Sequence, residues 1–160
     1  MTEVAEIYFD GLCEPKNPGG IPVYAFVIFD QKTAQLLASD AGLAGEPWKE
    51  SATHNLAEYK GAINATKWLK ACIPVRHLTI CGDSQLVIRQ LTKDYQVKSP
   101  NILPLYDELT RLLEGFDWKA IWVPREKNSM ADRLANEFYT GYCLMTYGRT
   151  FPTMREKGAI

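Results

Sequence analysis

Cysteine and histidine are scarce in this sequence, and their spacing forms no metal-binding motif. The 160 residues include four cysteines and two histidines, with no Cys-x-x-Cys pair and no histidine at ligand spacing from a cysteine. This pattern argues against a structural zinc site and against a disulfide framework. Scattered cysteines are typical of a reducing compartment, so we expect a cytoplasmic protein.

Long apolar runs and an excess of positive charge are lacking as well. No stretch approaches the roughly 20 apolar residues that span a bilayer, and the acidic N-terminus, with Glu3 and Glu6, does not resemble a signal peptide. We therefore expect no association with a membrane. The net charge of −1 argues against a general nucleic-acid binder, so any phosphate-binding surface must be local.

The composition fits one globular domain. Hydrophobic residues make up 46% and charged residues 23% of the chain, without a repeat or a linker. We assign residues 1–140 to this domain. Residues 141–160 hold aromatic side chains without a clear period, and we expect this C-terminal tail to dock on the domain. The alternative is a dimer contact, or a nucleic-acid contact through the basic residues of the tail, Arg149, Arg155 and Lys157.

Hydrophobic periodicity predicts an α/β fold. The predicted elements, in order, are strands at 7–10, 23–29 and 34–41, a helix at 56–72, a strand at 78–81, helices after residue 84 and at 102–113, a strand at 118–123 and a helix at 130–138. The first three strands form an antiparallel meander. A strand–helix–strand crossover is right-handed with parallel strands, which places the fourth strand beside the first. We expect a mixed five-stranded sheet in the order 3-2-1-4-5, with helices on both faces.

Four acidic residues fall where predicted strands or helices begin or end. Asp10 follows the first strand and precedes a turn signal at Gly11. Asp83 follows the fourth strand, on a neighbouring strand about 4.8 Å away. Glu58 lies on the crossover helix, and Asp132 begins the last helix at the same edge of the sheet. The topology therefore predicts that these acids converge.

Each acid also has an ordinary structural explanation. Asp10 can serve its turn, Glu58 can be a solvated acid in the first turn of a helix, Asp83 can cap a helix, and Asp132 can belong to a capping box with Ser129. Convergence favours another role. Two carboxylates about 4 Å apart repel by about 4 kcal/mol at an effective dielectric constant of 20. Oxygen ligands suit Mg²⁺ or Mn²⁺, and paired ions of this kind cleave phosphodiesters.

An ordered set of motifs between residues 5 and 138 resembles type 1 ribonuclease H, especially its compact archaeal and bacterial forms. The motifs are Tyr8-Phe9-Asp10-Gly11 with Asn17-Pro18-Gly19-Gly20, Thr53-His54-Asn55-Leu56-Ala57-Glu58, Gly82-Asp83-Ser84-Gln85-Leu86-Val87 and Ala131-Asp132-Arg133-Leu134-Ala135. An acidic residue stands in all four places. No single motif is specific, but the ordered set is strong.

The resemblance implies a ribonuclease H-like fold and hydrolysis of the RNA strand of an RNA–DNA hybrid. The products would carry 5′-phosphate and 3′-hydroxyl ends. Two Mg²⁺ ions, or Mn²⁺ as a substitute, would be held by Asp10, Glu58, Asp83 and Asp132, with Asp10 bridging both ions. The partner would be the hybrid itself, and no obligate protein partner is evident.

The resemblance also implies substrate contacts. The expected contact residues are Gly11, Asn17, Thr53, His54, Asn55, Gln85, Arg125 and Asn128. Asn55 and Gln85 match positions that reach the minor groove, and Asn17 and Thr53 match backbone contacts. Helix capping is the alternative for Asn55 and Thr53.

Three departures from the family are visible. The loop before the last aspartate has Arg125, Lys127 and Asn128 where many members carry a histidine, and we expect Arg125 or Asn128 to take over part of its role in turnover. Phe29 replaces a basic residue that contacts a DNA phosphate in the family, so the resemblance does not establish a DNA-phosphate pocket in this chain. The link after the helix at Ser84 is too short for an additional helix and basic protrusion.

Other functions remain as alternatives. The same fold could cut double-stranded or single-stranded RNA, or could bind hybrids without cleaving them. The four intact acids argue against a non-catalytic module. For a purely structural domain, converging carboxylates would only lower stability.

Overall fold

Five strands form a single sheet at the centre of the fold. The computed structural model describes residues 2–158. The strands are β1 (Val4–Glu14), β2 (Ile21–Asp30), β3 (Leu36–Leu43), β4 (His77–Gly82) and β5 (Asp117–Trp122). Their order is β3-β2-β1-β4-β5, with β1 antiparallel to β2 and parallel to β4. The predicted mixed sheet is confirmed.

Helices cover both faces of the sheet. They are α1 (His54–Cys72), α2 (Gln85–Leu91), α3 (Leu103–Leu113) and α4 (Ser129–Tyr147), with a short 3₁₀ turn at Arg125–Lys127. Side chains of β2 alternate between two cores: Phe26 and Ile28 belong to the core under α1, and Val23 and Ala25 belong to the core under α4. Among residues 2–158, no helix is long and apolar enough to cross a membrane.

Strand pairing brings the predicted acidic positions to one level. The parallel ladder between β1 and β4 ends at the pair Phe9 and Gly82. Asp10 and Asp83 are the next residues on their strands, so both emerge where the ladder stops. This register agrees with the level predicted from the crossover topology.

Two predicted ends, those of the first strand and the last helix, are wrong by four residues or more. β1 does not stop at Asp10 but continues to Glu14, because β2 pairs with it over this whole length and Gly11 lies opposite Tyr24. The last helix does not end near Phe138 but runs to Tyr147, where Gly148 closes it in the left-handed conformation. The added turns stay helical because their inner face is buried against the sheet.

The chain beyond α4 returns to the domain through an aromatic cluster. The Trp48 Nε1 group donates a hydrogen bond to the Tyr147 hydroxyl at 2.9 Å. The Phe151 ring lies 5.8 Å from the Trp48 ring and 5.7 Å from the Tyr147 ring, both edge-on. These three aromatic side chains, which come from a loop, the end of α4 and the tail, therefore form one cluster.

Two glycines allow α1 to lie against the strand backbone. A Cβ atom at Gly11 would lie 2.4 Å from the backbone of Ala57 and Glu58, and one at Gly61 would lie 2.8 Å from the Ala25 carbonyl oxygen. Both distances are too short for any side chain without movement of the backbone. Glycine at these positions sets the separation between α1 and the sheet.

We expect Gly11→Ala to lower the free energy of unfolding by about 2–3 kcal/mol, because the helix must move away from the strand. Gly141→Ala is the matched control, since a Cβ atom there meets no atom within 4 Å. Gly141→Ala lies inside α4 and should raise stability by about 0.5–1 kcal/mol. Urea denaturation measures both changes. Unchanged stability of Gly11→Ala would contradict the close approach.

Candidate active site

Three carboxylates from three different elements converge at the end of the β1–β4 ladder. Asp10 lies on β1, Glu58 on α1 and Asp83 directly after β4. Each offers one oxygen, and these oxygens all lie within 4.8 Å of one another. Asp10 is 6% exposed and Glu58 is 1% exposed. Two of the three charges are thus buried in the protein.

The ordinary structural explanations for these acids do not hold. Asp10 lies within a continuous strand, so it serves no turn. Glu58 lies beyond the first turn of α1 and is not solvated. Ser84 rather than Asp83 caps α2, accepting a hydrogen bond from the Val87 amide at 3.2 Å.

Burial and mutual repulsion shift the protonation of the cluster. Burial raises the pKa of Asp10 well above its ordinary value, and the charges of Glu58 and Asp83 raise it further. Burial also raises the pKa of Glu58 well above its ordinary value, and Asp83 adds to this effect. Burial raises the pKa of Asp83, although Arg125 and His54 oppose this. The cluster therefore resists carrying its full negative charge.

The surroundings of Glu58 fit a bound cation. His54 Nε2 lies 3.2 Å from Glu58 Oε1. The other oxygen, Oε2, is buried and has no hydrogen-bond partner among residues 2–158. A buried oxygen without a partner is unfavourable, and a hard divalent cation takes oxygen ligands of this kind. The residues present therefore fit a divalent metal ion.

Asp132 lies on the wall of the same cleft, outside the group of three. Its Oδ1 atom is 3.6 Å from an Arg125 guanidinium nitrogen and accepts a hydrogen bond from the Asn136 amide at 3.3 Å. Asp132 is not part of a capping box, because α4 begins after Asn128 without a side-chain cap. The structure thus brings three of the four predicted carboxylates together and places the fourth beside them.

The cleft has a volume of about 610 Å³ and contains several predicted substrate contacts. Gly11, Asn17, His54 and Arg125 line it. Asn17 also holds the start of α1, since its Oδ1 atom accepts a hydrogen bond from the His54 amide at 3.1 Å.

The other four predicted contact residues are not among the residues that line the cleft. Thr53 caps α1 by accepting a hydrogen bond from the Leu56 amide at 3.1 Å, and Asn55 is half-buried in the first turn of that helix. Gln85 is exposed at the start of α2. Asn128 is 1% exposed and its amide donates a hydrogen bond to the Phe9 carbonyl at 2.8 Å. The substrate contact of Asn128 stays a prediction, and in this structure its buried side chain ties α4 to β1.

Several residues that line the cleft were missed by the sequence interpretation. Trp122 donates a hydrogen bond from Nε1 to the Asp83 carbonyl at 3.1 Å. Asn136 lies one helical turn after Asp132, which is the signal that could have identified it. The others that were missed are Leu12, Cys13, Glu14, Thr153, Met154 and Glu156. Arg155, in the same turn of the tail, was named from the sequence only as an alternative nucleic-acid contact. The Thr-x-x-Glu spacing of this turn is typical of a capping box.

Comparisons with known proteins agree with this geometry. A family model described as "Reverse transcriptase-like" matches residues 17–138. A "Ribonuclease HI" from Halobacterium salinarum is 36% identical over 133 residues, covering 81% of this chain and 61% of the relative. A "Bifunctional protein" from Mycobacterium tuberculosis is 34% identical over 128 residues, covering 76% of this chain but 32% of the relative. The chain thus spans about a third of the length of this mycobacterial relative.

Solved structures show the same fold. RNase H1 from Halobacterium salinarum superposes with a TM-score of 0.74 at 32% identity, covering 84% of this chain and 96% of that chain. LC11-RNase H1, solved in complex with an RNA/DNA hybrid, gives a TM-score of 0.73 at 29% identity, covering 83% and 94% of the two chains. The sheet order and the converging carboxylates define a ribonuclease H-like domain. The chain belongs to the type 1 ribonuclease H family, which confirms the predicted family and fold class.

The raised pKa values predict how stability depends on pH when divalent ions are absent. The folded protein holds protons on Asp10 and Glu58 at pH values where the unfolded chain has lost them. The free energy of unfolding should therefore fall as pH rises above about 4 through the folded pKa values. Asp10→Asn should raise it by at least about 1 kcal/mol at pH 8. Urea denaturation at pH 5 and pH 8 with a chelator measures this.

Asp107→Asn is the matched control, because Asp107 is exposed on α3. It should change stability by less than about 0.5 kcal/mol. Mg²⁺ should stabilise the wild-type protein at pH 8 and stabilise Asp10→Asn much less. An Asp10→Asn variant that is less stable than the wild type in chelator would contradict the repulsive cluster.

Proposed function

We propose that this protein is an endoribonuclease that hydrolyses the RNA strand of RNA–DNA hybrids and leaves 5′-phosphate and 3′-hydroxyl ends. The observation that carries the proposal is the group of Asp10, Glu58 and Asp83 within 4.8 Å, with a buried oxygen of Glu58 lacking a partner. Membership of the type 1 ribonuclease H family supports the same reaction. So does LC11-RNase H1, which was solved with an RNA/DNA hybrid.

The carboxylates suit divalent cations. We infer that two divalent ions would be held here, with Asp10 as a ligand of both, Glu58 and Asp83 as the further ligands of one, and Asp132 as the further ligand of the other. The oxygen-only donor set suits Mg²⁺, with Mn²⁺ as a substitute. Two bound ions would supply charge neutralisation at the scissile phosphate and activation of the attacking water.

The neighbouring side chains orient these carboxylates. The imidazole of His54 lies beside Oε1 of Glu58, and Oε2 has no hydrogen-bond partner among residues 2–158. Arg125 and Asn136 both contact the Oδ1 atom of the Asp132 carboxylate. Such supporting contacts fix ligand geometry before an ion binds. Distinguishing RNA from DNA requires contact with the 2′-hydroxyl group, and Gly11, Asn17 and His54 lie along the cleft where such contacts are possible.

The alternative functions differ in substrate. A nuclease of the same fold could cut double-stranded RNA, and a hybrid-binding module would cut nothing. The repulsion between buried carboxylates disfavours the second alternative, because a binding module gains nothing from a destabilising cluster.

A substrate panel tests the proposal. Labelled hybrid, double-stranded RNA, single-stranded RNA and double-stranded DNA are incubated with Mg²⁺, Mn²⁺ or chelator. We expect cleavage of the RNA strand of the hybrid only, and none with chelator. Asp10→Asn should lower the rate by at least about 100-fold, the cost of losing a few kcal/mol of transition-state stabilisation. Asp107→Asn should retain the wild-type rate. Equal cleavage of all substrates, or chelator-resistant cleavage, would reject the proposal.

Arg125 is predicted to assist turnover. Its guanidinium group lies 3.6 Å from Asp132 and is half-exposed in the cleft. Arg125→Ala should lower kcat for hybrid by about tenfold, since a charge-assisted contact contributes about 1.5–3 kcal/mol. Arg125→Lys should restore part of the loss. Arg76→Ala, an equal charge change in an exposed residue just before β4, at the opposite edge of the sheet, is the control. Wild-type turnover in Arg125→Ala would argue against this role.

A further inference from the structure

The cleft is strongly acidic for a surface that must hold a polyanion. Among the described residues that line it, six are carboxylic acids and two are arginines, Arg125 and Arg155. Affinity for nucleic acid depends mainly on cationic contacts with phosphates. The overall charge of −1 supplies no general attraction. The position of each arginine in the cleft therefore matters.

The two arginines differ in how they are engaged. Arg125 faces Asp132 at 3.6 Å and is partly committed to that carboxylate. Arg155 is exposed, and within residues 2–158 it makes no ion pair. Its guanidinium group can therefore bind a phosphate without first breaking an ion pair within the protein. Arginine suits this role, because its fork of N–H donors matches phosphate oxygens.

Arg155 sits in a turn held by reciprocal hydrogen bonds. The Thr153 amide donates to Glu156 Oε2 at 3.0 Å, and the Glu156 amide donates to Thr153 Oγ1 at 3.2 Å. The Lys157 amide donates to the Thr153 carbonyl and the Gly158 amide to the Arg155 carbonyl, each at 3.0 Å. This pattern is that of a capping box. It fixes the backbone on both sides of Arg155.

The turn is also attached to the cleft wall. The Met154 amide donates a hydrogen bond of 2.7 Å to the carboxylate of Glu14, which is 7% exposed. The Lys157 ammonium group donates to the Pro15 carbonyl at 3.3 Å. On the N-terminal side, Phe151 lies in the aromatic cluster with Trp48 and Tyr147. Contacts on both sides of the turn thus keep it in place beside the catalytic carboxylates.

We propose that the turn Thr153–Glu156 is part of the nucleic-acid-binding surface, and that Arg155 contacts a backbone phosphate of the bound hybrid. This inference rests on the proposed function, because the cleft must hold a hybrid. The turn lies outside residues 17–138, the part of the chain that matches the family model. Arg155 is a substrate-positioning residue that raises affinity, and it takes no part in bond cleavage.

The opposite effect is conceivable on geometric grounds: the turn could obstruct the cleft. The two alternatives predict opposite changes in hybrid affinity when Arg155 is removed. A supporting turn makes binding weaker when Arg155 is removed, and an obstructing turn makes binding tighter or leaves it unchanged.

Hybrid binding by the full chain provides the test. Asp10→Asn prevents cleavage and serves as the background, and the dissociation constant is measured by fluorescence anisotropy over a salt series with Mg²⁺ present. Adding Arg155→Ala should raise the dissociation constant about threefold to tenfold. It should also reduce the slope of log K against log salt by about 0.9, the value for one phosphate contact. Arg76→Ala should change neither quantity, and Arg155→Lys should retain most of the slope.

Two further measurements distinguish a phosphate contact from a structural effect. In a set of hybrids, each carries one neutral methylphosphonate linkage at a different position. At one of these positions the neutral linkage should weaken binding by the background protein but should not weaken binding by the Arg155→Ala protein. Thr153→Val removes one bond of the turn without changing charge, and should weaken binding in the background but not in the Arg155→Ala protein. The midpoint temperature of thermal unfolding of the Arg155 variants should equal that of the background protein.

The outcomes separate this inference from the proposed function. If wild-type protein cuts hybrid, but Arg155→Ala shows the affinity and salt slope of the background, this inference alone is overturned. Tighter binding by Arg155→Ala overturns it in favour of obstruction. A wild-type protein that neither binds nor cuts hybrid overturns both.

Discussion

The contact between α1 and the backbone of β1 is the constraint on which the rest of the structure depends. It exists because neither Gly11 nor Gly61 has a side chain, and a Cβ atom at either position would overlap backbone atoms. The approach of the helix brings Glu58 to the level at which Asp10 and Asp83 leave their strands. The separation of the three carboxylates is thus set by backbone packing rather than by the carboxylates, which repel one another.

That arrangement requires stability from elsewhere in the fold. The core under α1 contains Ile7, Phe9, Ile63 and Leu109, all with no exposed surface. Each side chain of this size contributes about 1.5–3 kcal/mol when it is fully buried, so a few of them offset the electrostatic repulsion of the cluster. The rigid core also prevents the carboxylates from separating. A divalent cation can relieve the repulsion without movement of the backbone, which is the physical meaning of a pre-organised site.

Patterns that depend on topology were predictable from the sequence, and patterns that depend on packing were not. The level of Asp10 and Asp83 follows from one parallel crossover, which leaves little freedom in strand order. The turn predicted at Gly11 was wrong because this glycine serves a helix contact 46 residues later in the chain, at Ala57, and no local signal reports such a contact. The end of α4 was misplaced because the extension of this helix is stabilised by the burial of Tyr139 and Cys143 in the core under α4, a contact that the sequence of the tail does not report. The burial of Asn128 could not be predicted from its polar side chain, because it depends on a partner distant in sequence, the Phe9 carbonyl that accepts its amide hydrogen bond.

The charge distribution of the cleft links metal binding to substrate binding. Six carboxylic acids and two arginines leave the lining acidic, so a polyanion is repelled until cations neutralise part of that charge. Ions held by the carboxylates would neutralise the floor of the cleft, while the side chains of Arg125 and Arg155 provide the fixed positive charge on its walls. A protein with a net charge of −1 can in this way bind a phosphate backbone at one place only. Under the proposed function, attraction to nucleic acid would arise where the carboxylates lie, because the same ions would serve both binding and chemistry.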